Sequence, residues 1–145
     1  QKLDELSRRA KRNGAYNIEA RLIEAKYLKR QRGTFDRVLI DAPCSGLGVL
    51  RRNPDTKWKL TPEFLEEIRK TQAQLLAQYS LLVKEGGSLV YATCSILPSE
   101  NEQQVQHFLA SEAGKRFTLV EQHKISATQG YDGFYMAALK VKSEE

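Results

Sequence analysis

Long hydrophobic runs are absent from this sequence of 145 residues. No apolar stretch approaches the roughly 18–20 residues of a membrane span, so we expect no membrane partner. Cysteine is scarce as well, with only two in the chain. Two cysteines are too few for the framework of a disulfide-rich secreted protein, so we expect free thiols, a reducing compartment and a cytoplasmic protein. A disulfide between the two cysteines is the alternative.

The charge balance is mildly basic. The chain has 23 Lys and Arg residues against 18 Asp and Glu residues, a formal net charge of +5. This excess suits a polyanionic partner such as RNA, although a solubilising surface explains it almost as well. Hydrophobic residues make up 41% of the chain and charged residues 28%, which is ordinary for a globular domain. The length predicts a single domain with a sizeable core.

Each cysteine lies in a short motif that follows a strand-like run. Cys44 lies in DAPCSG (41–46) after the run RVLI, and Cys94 lies in ATCS (92–95) after the run SLVY. The carboxyl ends of neighbouring parallel strands share the edge of the sheet where open α/β folds bind ligands. We therefore predict that both thiols lie in one pocket, although fifty positions separate them in sequence.

Hydrophobic spacing and cap signals predict an alternation of helices and strands. The predicted helices cover residues 1–13, 26–32 (a helix or turn) and 61–83, and another begins at a capping box formed by Ser99 and Glu102. The predicted strands cover residues 17–24, 35–40, 88–91, 117–120 and 133–141. Residues 47–60 form a loop long enough to suggest a function, and residues 123–132 are expected to be irregular. This order predicts a three-layer α/β domain with a mostly parallel sheet.

Two interpretations of the cysteines compete. A thiolate is a strong nucleophile near neutral pH, and Gly46 allows the backbone to approach a ligand closely. Asp41, at a strand end, can accept a hydrogen bond from a ligand amine or ring N–H. A lone cysteine is more often inert packing, but two in equivalent positions, both followed by serine, favour a reactive pair. The residues alone do not tell which cysteine attacks.

Four motifs resemble those of the NOL1/NOP2/Sun family of S-adenosylmethionine-dependent RNA cytosine-5 methyltransferases. They are DAPCSG (41–46), RRNPDTKW (51–58), TCS with PSENE (93–95 and 98–102) and DGFY (132–135). The resemblance runs from Leu3 to Lys140. It implies a Rossmann-like class I methyltransferase fold with αβα layers, and transfer of a methyl group from S-adenosylmethionine to carbon 5 of cytosine in RNA. Ribosomal RNA is the implied substrate, and transfer RNA is the alternative.

The same resemblance implies roles for four residues. Cys94 is the implied nucleophile that bonds to carbon 6 of cytosine, and Cys44 assists breakdown of the covalent adduct. Asp41 is implied to orient the cytosine and to border the cofactor. Glu24 is implied to contact the cofactor adenosine, at a position where the family usually has aspartate. No metal is implied.

The family's glycine-rich cofactor loop, its acidic residue at the end of strand two and an upstream lysine motif have no match here. We therefore expect residues 1–145 to be the C-terminal portion of one catalytic domain, lacking its first two strands. In the family's sheet order, 3-2-1-4-5-7-6, strands four to seven should remain a unit, while residues 17–24 are displaced or pair with another chain. Such a piece is expected to be inactive alone, to bind S-adenosylmethionine weakly or not at all, and to self-associate through its exposed sheet edge.

Two other functions are compatible with the sequence. In a non-catalytic RNA-binding module, the basic first helix and the loop RRNPDTKWK (51–59) would contact phosphates while Trp58 stacks on a base. The competing interpretation of that loop is that Trp58 pins it to the body of the domain while its charges stay solvated. A thiol redox protein ranks last, because the CxxC spacing is absent.

Overall fold

The computed structural model describes residues 2–142 and contains two compact units, Gln1–Arg30 and Gln31–Glu145. The first unit contains α1 (Lys2–Arg12) and α2 (Ala25–Arg30). Gly14 follows α1 with a φ of +68°, a conformation that glycine adopts without strain. Both predicted helices of this unit are confirmed, except that the first position of the helix predicted at 1–13 lies outside the described residues.

The strand predicted at residues 17–24 is wrong. These residues are irregular, and Ile18 and Leu22 are exposed. A strand exists only where its backbone N–H and C=O groups pair with another strand. No strand pairs with them in the part of the chain that the structure describes. The alternation of apolar and polar residues at 17–24 is therefore not sufficient to form a strand.

The second unit alternates strands and helices. Its elements are β1 (Phe35–Asp41), α3 (Thr56–Lys59), α4 (Pro62–Ser80), β2 (Val83–Thr93), α5 (Glu102–Ala110), β3 (Phe117–Ile125) and β4 (Phe134–Val141). The four strands form one sheet in the order β1-β2-β4-β3. β1 and β2 are parallel, while β4 is antiparallel to both of its neighbours. This is the order expected for strands four to seven, so that prediction is confirmed.

The core lies on one face of this sheet. α4 packs against β1, β2 and α5, and the buried cluster joins Leu76 of α4 and Phe108 of α5 to Leu89 and Leu139 in the strands. The second unit thus contains the sheet and one helical layer of the three layers predicted. On the opposite face Leu39 is 68% exposed, so β1 is buried on one face only.

α4 begins as predicted and ends earlier. The hydroxyl of Thr61 accepts a hydrogen bond from the Phe64 N–H, and Pro62 occupies the first turn. The predicted helix ran to residue 83, whereas α4 ends at Ser80. The reason is tertiary: the Leu82 carbonyl accepts hydrogen bonds from the N–H groups that lead into β1, at residues 34 and 35. Hydrogen bonding to the start of β1 therefore ends the helix before residue 83.

Glycines in β2 form a bulge. The pairing of β1 with β2 shifts register between Phe35 and Arg37. Within the extra residues Gly86 has a φ of +66°, and a Cβ on Gly87 would lie 2.8 Å from the Asp36 carbonyl oxygen. The stretch 85–87 therefore lies inside a strand, because only glycine fits this close approach.

Two other predicted boundaries are wrong. β3 extends to Ile125, five residues beyond the strand predicted at 117–120, because β4 pairs with it along its length. Residues 47–60 are not a plain loop, since they contain a 3₁₀ turn at Leu47–Val49 and the short α3. None of the helices in the described residues combines the length and the apolarity that a membrane crossing needs.

Truncation of a core leucine tests this packing. Leu89→Ala should lower the free energy of unfolding of the 145-residue chain by about 2–5 kcal/mol, because it leaves a cavity beneath α4. Leu39→Ala, on the exposed face of the neighbouring strand, is the matched control and should change it by less than about 0.5 kcal/mol. Urea denaturation followed by circular dichroism measures both values. Equal losses would contradict a core confined to one face.

Candidate active site

The two cysteines meet at the carboxyl edge of the sheet. Asp41 pairs with Ala92 in register, and the Ala42 N–H continues the ladder by donating to the Ala92 carbonyl at 2.9 Å. Just beyond these strand ends the Sγ atoms of Cys44 and Cys94 lie 3.2 Å apart. Both are half-buried free thiols. The predicted convergence of the two thiols is confirmed, and the alternative of a disulfide is not what the structure contains.

The environment makes Cys44 the thiol that keeps its proton. Burial is the main cause, and the hydrogen bond with Cys94 adds to it; together they raise the pKa of Cys44 from 9.0 to about 12. At neutral pH the Cys44 S–H is therefore available to donate to the Cys94 sulfur. The raised pKa therefore disfavours a thiolate at Cys44.

A buried acid joins the two cysteine loops. The carboxyl oxygens of Glu100 accept from the Ser45 N–H at 2.8 Å, the Ser45 hydroxyl at 2.6 Å and the Gln72 amide at 3.0 Å. The Ser95 hydroxyl donates to the same carboxyl group. Ser45 and Ser95 follow the two cysteines directly, and their hydroxyl oxygens lie 3.1 Å apart. One side chain therefore fixes the backbone beside both sulfurs.

Neighbouring polar side chains complete this buried cluster. The Thr93 hydroxyl donates to Asn101 Oδ1 at 2.5 Å, and Asn101 Nδ2 donates to the Ser95 carbonyl at 2.9 Å. The Tyr91 hydroxyl donates to the Glu100 backbone carbonyl at 2.7 Å. Burial raises the pKa of Tyr91, and the negative charge of Glu100 contributes to the rise, so this hydroxyl remains a donor. These bonds tie the turn after β2 back onto β2 itself.

Gln72 connects α4 to the same cluster. Its Nε2 donates to the Pro43 carbonyl at 2.9 Å as well as to Glu100, and its Oε1 accepts from Gln104 of α5 at 3.3 Å. Gln104 Nε2 also donates to the Arg69 carbonyl at 2.8 Å. Both helices that cover the sheet are therefore bonded to the cysteine loops or to each other through buried amides.

Close backbone packing brings a third loop to this edge. The Gly48 N–H donates to the Cys94 carbonyl at 2.9 Å, and the Gly133 N–H donates to the Gly48 carbonyl at 2.7 Å. A Cβ on Gly48 would lie 2.6 Å from the Cys94 carbonyl oxygen, and one on Gly133 would lie 2.7 Å from the Ile96 side chain. Residues from before β4 thus reach the cysteine loops only because glycine occupies both positions.

The structure places the two predicted carboxylates differently. Asp41 is exposed at the carboxyl end of β1, on the edge of the sheet that holds the thiols. Glu24 is exposed in an irregular part of the first unit, directly before α2, where its backbone carbonyl accepts from Leu28. Asp41 is therefore close in sequence and fold to Cys44, and the roles of both carboxylates stay predictions.

The predicted capping box at Ser99 and Glu102 is wrong. α5 begins at Glu102 with Asn101 before it, and no side chain caps that end. The Ser99 hydroxyl instead accepts from Arg69 at 3.5 Å, and Glu102 pairs with Lys124 at 3.3 Å. The turn at 98–101 is held by the buried cluster, so it cannot adopt the geometry of a cap.

The basic loop is solvated, and its tryptophan does not pin it. Trp58 is 79% exposed on α3, with the Lys57 ammonium 4.8 Å from its ring. Arg51 and Arg52 are exposed as well, and Arg52 pairs with Asp132 at 2.6 Å. The interpretation that Trp58 anchors the loop is therefore wrong, and an aromatic ring flanked by cations remains open to solvent.

Sequence reasoning missed the buried acid and its amide partner. A signal for Gln72 was present, because it interrupts the apolar face of α4 between Ile68 and Leu76 at helical spacing. For Glu100 no comparable pattern existed, since its motif was interpreted as a helix cap. Among residues 2–142 there is no group of three or more His, Cys, Asp or Glu side chains that could hold a metal ion.

The chain matches one protein-family model and is similar to several curated proteins. The family model described as "16S rRNA methyltransferase RsmB/F" matches residues 1–140. Ribosomal RNA small subunit methyltransferase B of Shewanella oneidensis is 44% identical over the aligned region, which covers 72% of this chain and 27% of that protein. The chain thus spans about a quarter of the length of the curated relatives it matches.

Solved structures share the fold. The crystal structure of PH0851 superposes with a TM-score of 0.85 and 29% identity, covering 94% of this chain and 34% of that one. NSun6 from Pyrococcus horikoshii, solved with SFG, superposes with a TM-score of 0.83 and 24% identity, covering 98% of this chain and 39% of that one. The second likeness supports the fold alone.

The raised pKa of Cys44 predicts its alkylation profile. A pKa of about 12 favours the neutral thiol, so the rate of iodoacetamide modification of Cys44 should rise about tenfold per pH unit from pH 8 to 10. Peptide mapping by mass spectrometry measures this rate. A model peptide thiol is the control and should approach a plateau in the same range. A plateau for Cys44 near pH 9 would contradict the assignment.

Gly48→Ala tests the close packing of the loops. The new methyl group would meet the Cys94 carbonyl, so we expect a loss of about 1–3 kcal/mol in the free energy of unfolding and faster alkylation of both thiols. Gly130→Ala is the control: it forces a positive φ but has no atom within 4 Å of its Cβ, so it should cost about 1 kcal/mol and leave thiol reactivity unchanged. Urea denaturation and iodoacetamide kinetics measure the two effects. Unchanged reactivity in Gly48→Ala would contradict the packing argument.

Proposed function

The chain belongs to the RsmB/F family of 16S rRNA methyltransferases, and on that premise we propose that it carries the catalytic thiols of an RNA (cytosine-5-)-methyltransferase. Its fold is the predicted Rossmann-like class I methyltransferase fold. The family depends on S-adenosylmethionine. The observation that carries the proposal is the 3.2 Å contact between the sulfurs of Cys44 and Cys94 at the carboxyl edge of β1 and β2.

Cytosine chemistry explains why this site needs a nucleophile. Carbon 5 of cytosine is a poor nucleophile, and addition of a thiolate to carbon 6 turns the ring into an enamine that can accept a methyl group at carbon 5. Cys94 is the residue proposed to form that bond from sulfur to carbon 6. The contact with Cys44 supports this assignment, because a neutral thiol 3.2 Å away can donate a hydrogen bond to the attacking sulfur.

Cys44 is proposed to act when the adduct breaks down. After methylation the proton on carbon 5 passes to solvent water, the carbon–hydrogen electron pair re-forms the double bond between carbons 5 and 6, and the electron pair of the sulfur–carbon bond returns to Cys94. A neutral Cys44 thiol, 3.2 Å from that sulfur, donates a hydrogen bond to the departing thiolate. The raised pKa of Cys44 supports a role as a donor rather than as the base that removes the carbon 5 proton.

Asp41 is proposed to orient the base and to border the cofactor. Its exposed carboxylate can accept a hydrogen bond from the exocyclic amine of cytosine, and its negative charge suits a cationic cofactor edge. S-adenosylmethionine supplies an electrophilic methyl group when bound. Glu24 remains the proposed contact for the adenosine.

The substrate proposed is ribosomal RNA, as the family description states for its members. A paired cytosine must leave its stack to reach half-buried thiols. The exposed ring of Trp58 with Lys57 and Arg51 is proposed to contact the RNA beside that base, since aromatic and cationic groups bind unpaired nucleotides. A protein that modifies ribosomal RNA is proposed to act in the cytoplasm.

Cysteine substitution in the full-length protein tests the proposal. Cys94→Ser should abolish methylation of ribosomal RNA, to less than about 1% of the wild-type rate, and should prevent a covalent adduct with RNA that contains 5-fluorocytosine. Fluorine on carbon 5 cannot leave as a proton, so the adduct persists in the wild-type protein and is visible as a band of reduced mobility on a denaturing gel.

Cys44→Ser is the matched variant. It should still form the adduct and accumulate it with ordinary RNA, because release is slowed. RNA affinity should be unchanged in both variants, as measured by filter binding. If Cys94→Ser retains methylation, the nucleophile is assigned wrongly. If the wild-type protein binds RNA but never forms an adduct, the alternative of a non-catalytic RNA-binding module is favoured.

A further inference from the structure

Glu100 has no part in the chemistry described above, although its side chain is fully buried at the site. Burial of a carboxyl group is costly unless hydrogen bonds replace the lost water. Here four donors do so: the Ser45 N–H, the hydroxyls of Ser45 and Ser95, and the Gln72 amide. A leucine or methionine would fill the same space without this cost, so the acid needs an explanation beyond packing.

Two of the donor residues lie next to the cysteines in sequence. Ser45 and Ser95 are the residues directly after Cys44 and Cys94, and each also binds the next turn of its own loop. The Ser45 hydroxyl lies 3.4 Å from the Leu47 N–H, and the Ser95 hydroxyl accepts from the Leu97 N–H at 3.1 Å. Movement of the carboxyl group would therefore shift both loops, and with them both sulfurs.

We propose that Glu100 is a positioning residue for cytosine methylation, which holds the loops of Cys44 and Cys94 so that their sulfurs stay in contact. The inference rests on the proposed function for its consequence in catalysis, but the positioning itself concerns only the geometry of the two thiols. Glu100 acts on Cys44 through Ser45 and on Cys94 through Ser95.

Replacement of the Glu100 carboxyl group by an amide should remove this positioning with little change in the volume of the side chain. In Glu100→Gln the NH₂ group faces either the Ser45 N–H, which cannot accept its hydrogen bond, or the serine hydroxyls, which must then turn from donors into acceptors. In either arrangement the bonds that hold the two cysteine loops are broken or rearranged, so we expect the loops to shift. A misplacement of about 1 Å in a reacting group can cost about 100-fold in rate.

The first experiment measures thiol geometry without catalysis. Phenylarsine oxide condenses with two adjacent thiols, forming two arsenic–sulfur bonds and releasing one water. The full-length wild-type protein should bind it through both cysteines, shown by intact mass and by protection of both from iodoacetamide. Glu100→Gln should bind it at least tenfold more weakly. Glu102→Gln is the matched control, because Glu102 lies two residues away and pairs with Lys124 outside the cluster; it should bind as the wild type does.

The second experiment measures the catalytic consequence in the same variants. Glu100→Gln should lower kcat and the rate of 5-fluorocytosine adduct formation by about 100-fold, with the KM for RNA within about twofold of the wild-type value. Ser95→Ala should slow adduct formation more than release, and Ser45→Ala should slow release more than formation. A uniform structural defect would not separate the two steps in this way.

The outcomes are distinguishable. Wild-type binding of the arsenical by Glu100→Gln would overturn the positioning role, whether or not the protein methylates RNA. Absence of methylation and adduct in the wild type would overturn the proposed function, while the arsenical result would still decide the positioning role. All measurements are made below the unfolding temperature of each variant. If Glu100→Gln does not fold, the double variant Ser45→Ala with Ser95→Ala removes the same link and should show the same tenfold loss of arsenical binding.

Discussion

A single buried carboxyl group organises the carboxyl edge of this sheet. Glu100 accepts hydrogen bonds from the loops after β1 and β2 and from α4, three segments that are distant in sequence. Together with the second bond from Ser45, these hydrogen bonds replace the water that the carboxyl group loses on burial. The cysteine loops are consequently bonded to each other and to α4 through one side chain.

The pairing of β1 with β2 provides the frame on which that cluster is built. Parallel strands direct their carboxyl ends to the same edge, so motifs fifty positions apart emerge side by side. Glycine then lets the loop before β4 approach the same edge, because a methyl group at Gly48 or Gly133 would collide with backbone or side-chain atoms. Strand pairing thus sets the approximate position of the thiols, and the buried polar cluster sets the final contact.

The surroundings of Cys44 shift its chemistry in this frame. Burial and the neighbouring sulfur raise the pKa of Cys44 to about 12, so it keeps its proton and can donate to Cys94. A neutral Cys44 thiol suits a reaction in which one sulfur attacks and the other donates a hydrogen bond to it as it leaves. The local sequence does not explain the shift, since both cysteines are followed by serine and both lie just beyond a strand.

The expectations that failed share a physical cause. Residues 17–24 alternate as a strand does, yet a strand needs a partner, and none lies in the described residues. The helix predicted to run to residue 83 stops at Ser80 because β1 takes the carbonyl of Leu82. The cap predicted at Ser99 is absent because the turn is bound into the Glu100 cluster. In each case the presence or the lack of a distant partner overrode a local preference.

The sequence by itself determined the order of the later strands and helices, the start of α4 at Thr61 and Pro62, and the two cysteine motifs at strand ends. These features follow from hydrophobic period, caps and residue chemistry, which act over a few neighbouring residues. Only the tertiary structure decided the contact between the two sulfurs, the raised pKa of Cys44 and the buried position of Glu100 between the cysteine loops. Those depend on burial and on hydrogen bonds between residues far apart in the chain, and such distances are defined only once the sheet has formed.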